Sequence, residues 1–201
     1  MSLTTAAAFS AAAAQTAADG FKYTDEQFAD IQMLRYRVEG FEKLTLKEKT
    51  FIYYLQEAAL QGRDILFDQN GRYNLRIRRL LEKVYTDYKG DRASADWQGF
   101  VTYLKRFWFS SGPHHHYGCE KFEPGFSEQW LRNALVDINY EEATCVPRTA
   151  CGKSWEELLP VVFDPAVMPM RVNQKDGDDL VLTSAANYYA PGITQAEAER
   201  F

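Results

Sequence analysis

Residues 94–110 read SADWQGFVTYLKRFWFS, and the spacing of their apolar side chains decides the fold class. Trp97, Phe100, Val101, Leu104, Phe107 and Trp108 recur at intervals of three and four, which on a 3.6-residue period places them along one side of an α-helix. Ser94, just ahead of them, is a residue type that caps helix N-termini. Such a stripe marks core, and the patterns around it are of the same kind. Upstream, residues 73–88 predict a helix with Leu80, Leu81, Val84 and Tyr88 inward. Downstream, Ser127 opens a helix through Trp130, Leu131, Leu135 and Ile138.

Thr45 followed by Glu48 is a capping-box pattern before Phe51, Ile52, Leu55, Ala58 and Ala59, which predicts a helix burying that face and ending near Gly62. Asp68-Gln69-Asn70-Gly71 is a turn signal. Nearer the start, Thr24 and Asp25 predict the cap of a helix carrying Phe28, Ile31, Met33, Leu34 and Tyr36 and stopping near Gly40. Ser154 and Glu157 offer a further capping box before Pro160. β structure is expected only at 161–185, where 170–173 and 180–184 flank Asp176-Gly177, a hairpin dipeptide. Thr194 with Glu197 opens a last helix with few residues behind it, which reads as a truncated helix. The expectation is an α+β fold, predominantly helical with a small β hairpin near the C-terminal end. Residues 1–20, rich in Ala, Ser and Thr, are a tail or leader remnant, and 21–201 fold.

The 201 residues carry a net charge of -5, with 46% apolar, 25% charged and 14% aromatic side chains. That is globular composition with a heavy aromatic content, suited to a large core or interface. The one basic cluster, Arg72, Arg76, Arg78 and Arg79, is followed by Glu82 and Asp87 and reads as a solvated helix face. Nucleic-acid binding would need a denser cationic surface. Cys119, Cys145 and Cys151 are too few for a disulfide framework. Cys145 and Cys151 could bridge a short loop or stay reduced, so cytoplasm and periplasm both remain open.

Chemistry is excluded more firmly than it is assigned. All three histidines are consecutive, His114, His115 and His116. A zinc-peptidase helix needs two imidazoles one turn apart with a glutamate between them, which this sequence does not contain. His114 and His116 could share an ion only with Cys119 or Glu120 as a further donor, and a polar loop lining a cleft or surface is the simpler reading. Gly152-Lys153-Ser154 lacks the glycine that a phosphate loop needs five residues earlier, where Pro147 stands. Ser110, Ser111 and Cys119 have no oxyanion-hole pattern around them. Glu141-Glu142 and Glu156-Glu157 are adjacent pairs whose side chains diverge.

Several long strings carry a resemblance. They are 28–38 (FADIQMLRYRV), 53–64 (YYLQEAALQGRD), 68–74 (DQNGRYN), 103–110 (YLKRFWFS), 114–124 (HHHYGCEKFEP), 171–177 (RVNQKDG), 183–189 (TSAANYY) and 194–199 (TQAEAE). Together they resemble the amino-terminal part of the bacterial dipeptidyl peptidase III family. The resemblance implies a two-lobed zinc metallopeptidase that releases dipeptides from the amino ends of short peptides. It implies that the zinc ligands lie in the other, later lobe, so that zinc belongs to the full-length enzyme and not to this chain. The chain would be the first third, contributing a cleft wall and inactive alone, with short peptides and the missing catalytic lobe as its partners. The family pattern aromatic-Gly-x-x-Lys-Phe falls on Tyr117-Gly118-Cys119-Glu120-Lys121-Phe122. By that carry-over Tyr117 and His116 contact substrate, with Ser110 a further candidate; Cys119 departs from the family's polar residue and receives no role. A stand-alone peptide-binding protein is the alternative, and a small metal protein built on His114 and His116 a third.

Overall fold

A computed structural model of the chain describes residues 20–140 and 155–200. The readings placed on residues 1–19, Glu141, Glu142, Cys145, Pro147, Cys151, Gly152, Lys153, Ser154 and Phe201 lie outside the described residues. The chain forms two compact units, residues 1–49 and 50–201.

In the first unit the helix expected at 24–36 is instead a β hairpin. Strand β1 (Thr24–Phe28) runs antiparallel to β2 (Ile31–Leu34), pairing Phe28 with Ile31 and Gln27 with Gln32. Two residues, Ala29 and Asp30, make the turn, and Ala29 takes φ 49°, the left-handed value that tight hairpins require. The apolar positions 28 and 31 fit a helix turn as well as a hairpin corner, which is why spacing alone misassigns them. Arg35 N–H extends the ladder to the Tyr23 carbonyl at 2.7 Å, and Gln32 Nε2 donates to the carbonyls of Asp25, Glu26 and Met33. The small β hairpin therefore lies near the N-terminal side and not near the C-terminal end.

Helix α1 (Leu46–Gln61) starts in this unit and belongs mostly to the second. The Thr45–Glu48 capping box forms as expected, with Thr45 N–H donating to Glu48 at 2.8 Å and Glu48 N–H to Thr45 Oγ1 at 3.3 Å. The bonds from Thr45 hold the Glu48 carboxyl below its usual range. The burial expected of α1 does not occur: none of its residues is buried, and Phe51, Ile52, Tyr54 and Leu55 are all exposed.

The second unit is helical. Its further helices are α2 (Arg63–Asn70), α3 (Asn74–Asp87), α4 (Ala95–Ser110), α5 (Glu128–Asp137), α6 (Leu159–Phe163) and α7 (Gln195–Ala198). Helix α2 continues through Asp68, Gln69 and Asn70, so the turn expected at 68–71 moves to 71–73, closed by Asn74 N–H on the Gly71 carbonyl. The stripe on α4 is core as expected, with Trp97, Phe100, Leu104 and Phe107 buried, although Trp108 stays partly exposed. It packs with Ile77, Leu80, Leu81 and Val84 of α3, with Leu131, Ala134 and Leu135 of α5, and with Leu158, Leu159, Val161 and Val162. Phe126 joins the layers through edge contacts to Phe100, Tyr103, Trp130 and Phe163. Serines cap as the sequence indicates: Ser94 accepts from Trp97 N–H and Ser127 from Trp130 N–H.

The basic cluster is less solvated than expected. Arg76 pairs with Glu157 and Arg78 with Asp64, tying α3 to its neighbours, and Arg78 also pairs with Glu82 one turn along α3 itself. The C-terminal hairpin expected at 170–184 is also absent. The Asp176-Gly177 turn forms, with Gly177 at φ 86°, but Asp179 reorganises the residues beyond it. Its carboxylate accepts from the amides of Val181, Leu182 and Gln195, which winds 179–183 into turns instead of a second strand. Those backbone donors hold the Asp179 carboxyl below its usual range. The Thr194–Glu197 capping box closes on α7.

Candidate functional site

Helix α4 ends at Ser110 because Ser111 turns left-handed (φ 54°) and Gly112 N–H returns to the Phe107 carbonyl at 3.0 Å. The chain then enters the histidine loop, which two side chains from α2 and α3 hold against the helix end. Asn70 Nδ2 donates to the carbonyls of Ser110 and Ser111, and Asn74 Nδ2 to that of Ser111. Phe122 N–H closes the loop onto the Pro113 carbonyl at 2.8 Å.

The three histidines divide their work. His114 is buried, and its Nε2 lies 2.8 Å from the Met168 carbonyl, so that nitrogen carries the proton. Burial pushes its pKa down, against the Met168 bond, and the ring is neutral. His115 Nδ1 accepts from the amides of Tyr117 at 3.2 Å and Gly118 at 3.1 Å, while its backbone N–H donates to the Glu120 carbonyl at 2.7 Å. His116 stands edge-on to Phe109 at 4.9 Å and against Tyr117 at 4.4 Å. His114 thus turns inward alone, while the rings of His115, His116 and Tyr117 gather at the turn, His115 lying 4.4 Å from His116.

Tyr117 is 85% exposed, so it is no part of the core, whereas Phe122 is buried beneath the Arg106 guanidinium. Of the three residues singled out from the sequence, Tyr117 and His116 come together at the loop tip. Ser110 does not join them at the surface. It is buried, its hydroxyl has no partner among the described residues, and its carbonyl is taken by Asn70.

Two residues to which the sequence reading assigns no role fix the loop from below. Arg171 Nη2 donates to the His116 carbonyl at 3.0 Å and approaches Cys119 Sγ at 3.5 Å. Cys119 itself sits at φ 63°. Lys121 Nζ donates to the carbonyls of Asp164 at 2.7 Å and Val167 at 2.8 Å, and burial pushes its pKa down to about 8. Both clamps join residues far apart in the chain, beyond the reach of any local pattern.

The protonated nitrogen of His114 is committed to Met168, His115 Nδ1 is occupied by two amides, and no group of three His, Cys, Asp or Glu side chains converges among the described residues. No helix of the described residues is long and apolar enough to cross a membrane. No family model matches the chain, and no curated protein sequence matches it.

Proposed function

We propose that this chain is the peptide-contacting part of a dipeptidyl peptidase III-like zinc exopeptidase, in which zinc is held by residues outside this sequence. In such an enzyme the metal supplies an activated water for peptide-bond hydrolysis; this chain's task is to bind and orient the peptide. Tyr117 provides an aromatic wall for an apolar side chain, and His116 provides a ring beside it. Arg171 and His115 fix the backbone that carries both.

The observation that supports this reading best is the exposure of Tyr117 on a loop whose backbone is held by His115, Arg171 and Lys121. An exposed aromatic on rigid backbone loses little entropy when a ligand covers it. The uncovered apolar face of α1 supports a lobe of a larger assembly over a self-contained binding protein, because contiguous exposed apolar surface marks an interface.

Dipeptide release from a short peptide and equilibrium binding of the same peptide test the proposal. The expected result is no release by this chain, with or without added zinc, and binding that Tyr117→Ala weakens about tenfold, the worth of one well-buried aromatic contact. Zinc-dependent release by the chain, or unchanged binding in Tyr117→Ala, overturns it.

A further inference from the structure

The segment 185–193 encloses, with Met168, Pro169 and Arg72, a cavity of about 450 Å³. Its walls are mostly apolar, with Met168, Pro191 and Ile193 among them, and its lining includes one cation and no carboxylate. The cation is Arg72, exposed, with its guanidinium 5.1 Å from the Tyr73 ring. Neither that guanidinium nor the side-chain amide of Asn187 has a hydrogen-bond or ion-pair partner among the described residues. Arg76 and Arg78 leave the same helix region and each takes a carboxylate, while Arg72 lines this cavity.

We infer that this cavity binds the carboxyl end of a short peptide, with Arg72 taking the terminal carboxylate in two parallel N–H···O bonds, Asn187 donating beside it, and the apolar walls covering the last side chain. A planar guanidinium matches a carboxylate in geometry as well as charge. The inference rests on the peptide-binding reading above and adds where the far end of the peptide goes.

The backbone sets the reach. Residues 119–121 lie beside 169–171, through Lys121 N–H to the Pro169 carbonyl and Arg171 N–H to the Cys119 carbonyl. Residues 185–187 lie along the same stretch, through Ala185 N–H to the Met170 carbonyl and Ala186 N–H to the Arg171 carbonyl. Hydrogen-bonded extended segments sit about 4.8 Å apart, so two such steps amount to about 10 Å, the rise of about three extended residues. A tetrapeptide extends over about 13 Å, more than those two steps.

The test uses a tetrapeptide of three alanines and a carboxyl-terminal leucine, and its carboxyl-terminal amide, titrated into the full chain by calorimetry. The acid is expected to bind about tenfold more tightly than the amide, the usual advantage of a charge-assisted pair. Arg72→Gln should erase that difference and Arg72→Lys retain part of it, with circular dichroism confirming that both fold. Equal affinity for acid and amide, or a difference that survives in Arg72→Gln, overturns the inference. Tyr117→Ala separates it from the reading beneath it. If that variant leaves both affinities unchanged while the acid preference persists, the cavity stands and the role of Tyr117 falls. If neither peptide binds the wild-type chain, both fall.

Discussion

Gly99, in the second turn of α4, and Gly125, at the end of the histidine loop, cross backbone to backbone. A Cβ added at Gly99 would lie 1.8 Å from the Gly125 carbonyl oxygen. Glycine inside a helix ordinarily costs about 1 kcal/mol relative to alanine, so Gly99→Ala would be stabilising if the site were open. Here the steric effect wins, because the obstructing atom is backbone and cannot swing aside. Gly99→Ala is expected to lower stability by about 3 kcal/mol in denaturant titration, the upper range for overpacking a dense site. Unchanged or raised stability would show that loop and helix are not in contact there.

His114 gives a pH dependence with a definite sign. Its imidazole is neutral and its pKa is lowered by burial, so the unfolded chain binds a proton more readily than the folded one. Stability contributed by the neutral ring is therefore complete at pH above the unfolded value of about 6.5 and falls as pH drops below it, by at most about 1.4 kcal/mol per pH unit. Urea titrations of wild type and His114→Gln between about pH 7.5 and 5.5, the range that brackets the unfolded value, isolate this, since the carboxylates titrate alike in both proteins. The wild type should show the steeper loss.

The Arg76–Glu157 pair links α3 to the turn before α6, with side chains only 12% and 21% exposed. Removing one partner leaves a charge in poor contact with water. Each single change, Arg76→Met or Glu157→Gln, is expected to cost about 2 kcal/mol, and the double change less than the sum. A double-mutant cycle with a coupling energy of zero would assign the pair no role in stability.

Leu104 and Phe51 separate core from surface. Leu104 is fully buried, and Leu104→Ala should cost about 3 kcal/mol. Phe51 is 64% exposed, and Phe51→Ser should change the stability of the chain by less than about 0.5 kcal/mol while reducing binding of an apolar dye. A large stability loss in Phe51→Ser would place α1 in the core after all.

Sequence and structure agree or part along physical lines. The caps at Ser94, Ser127, Thr45 and Thr194 and the stripe on α4 depend on neighbours three and four residues away, and they form as read. The Thr24–Leu34 hairpin is hidden because its turn contains Ala29 and Asp30 in place of glycine, so no turn signal interrupts a pattern that also suits a helix. The second strand expected at 180–184 is lost to Asp179, whose carboxylate captures the amide of Gln195 from beyond the segment. At the candidate site the loop and its aromatic tip are legible. The clamps from Asn70, Lys121 and Arg171 are not, because each acts on a carbonyl in a distant part of the chain. Burial of α1 fails for another reason: amphipathic spacing tells which side is apolar, not whether anything lies against it.

Besides the Arg171 side chain on the His116 carbonyl, main-chain amides join residues 169–171 to the histidine loop at one set of positions and to Ala185 and Ala186 at another. Such bonds transmit displacement with no side chain to absorb it. An occupant that shifted this ribbon from the Tyr117 direction would therefore alter affinity at the Arg72 cavity, and thermodynamic reciprocity would impose the same factor in return.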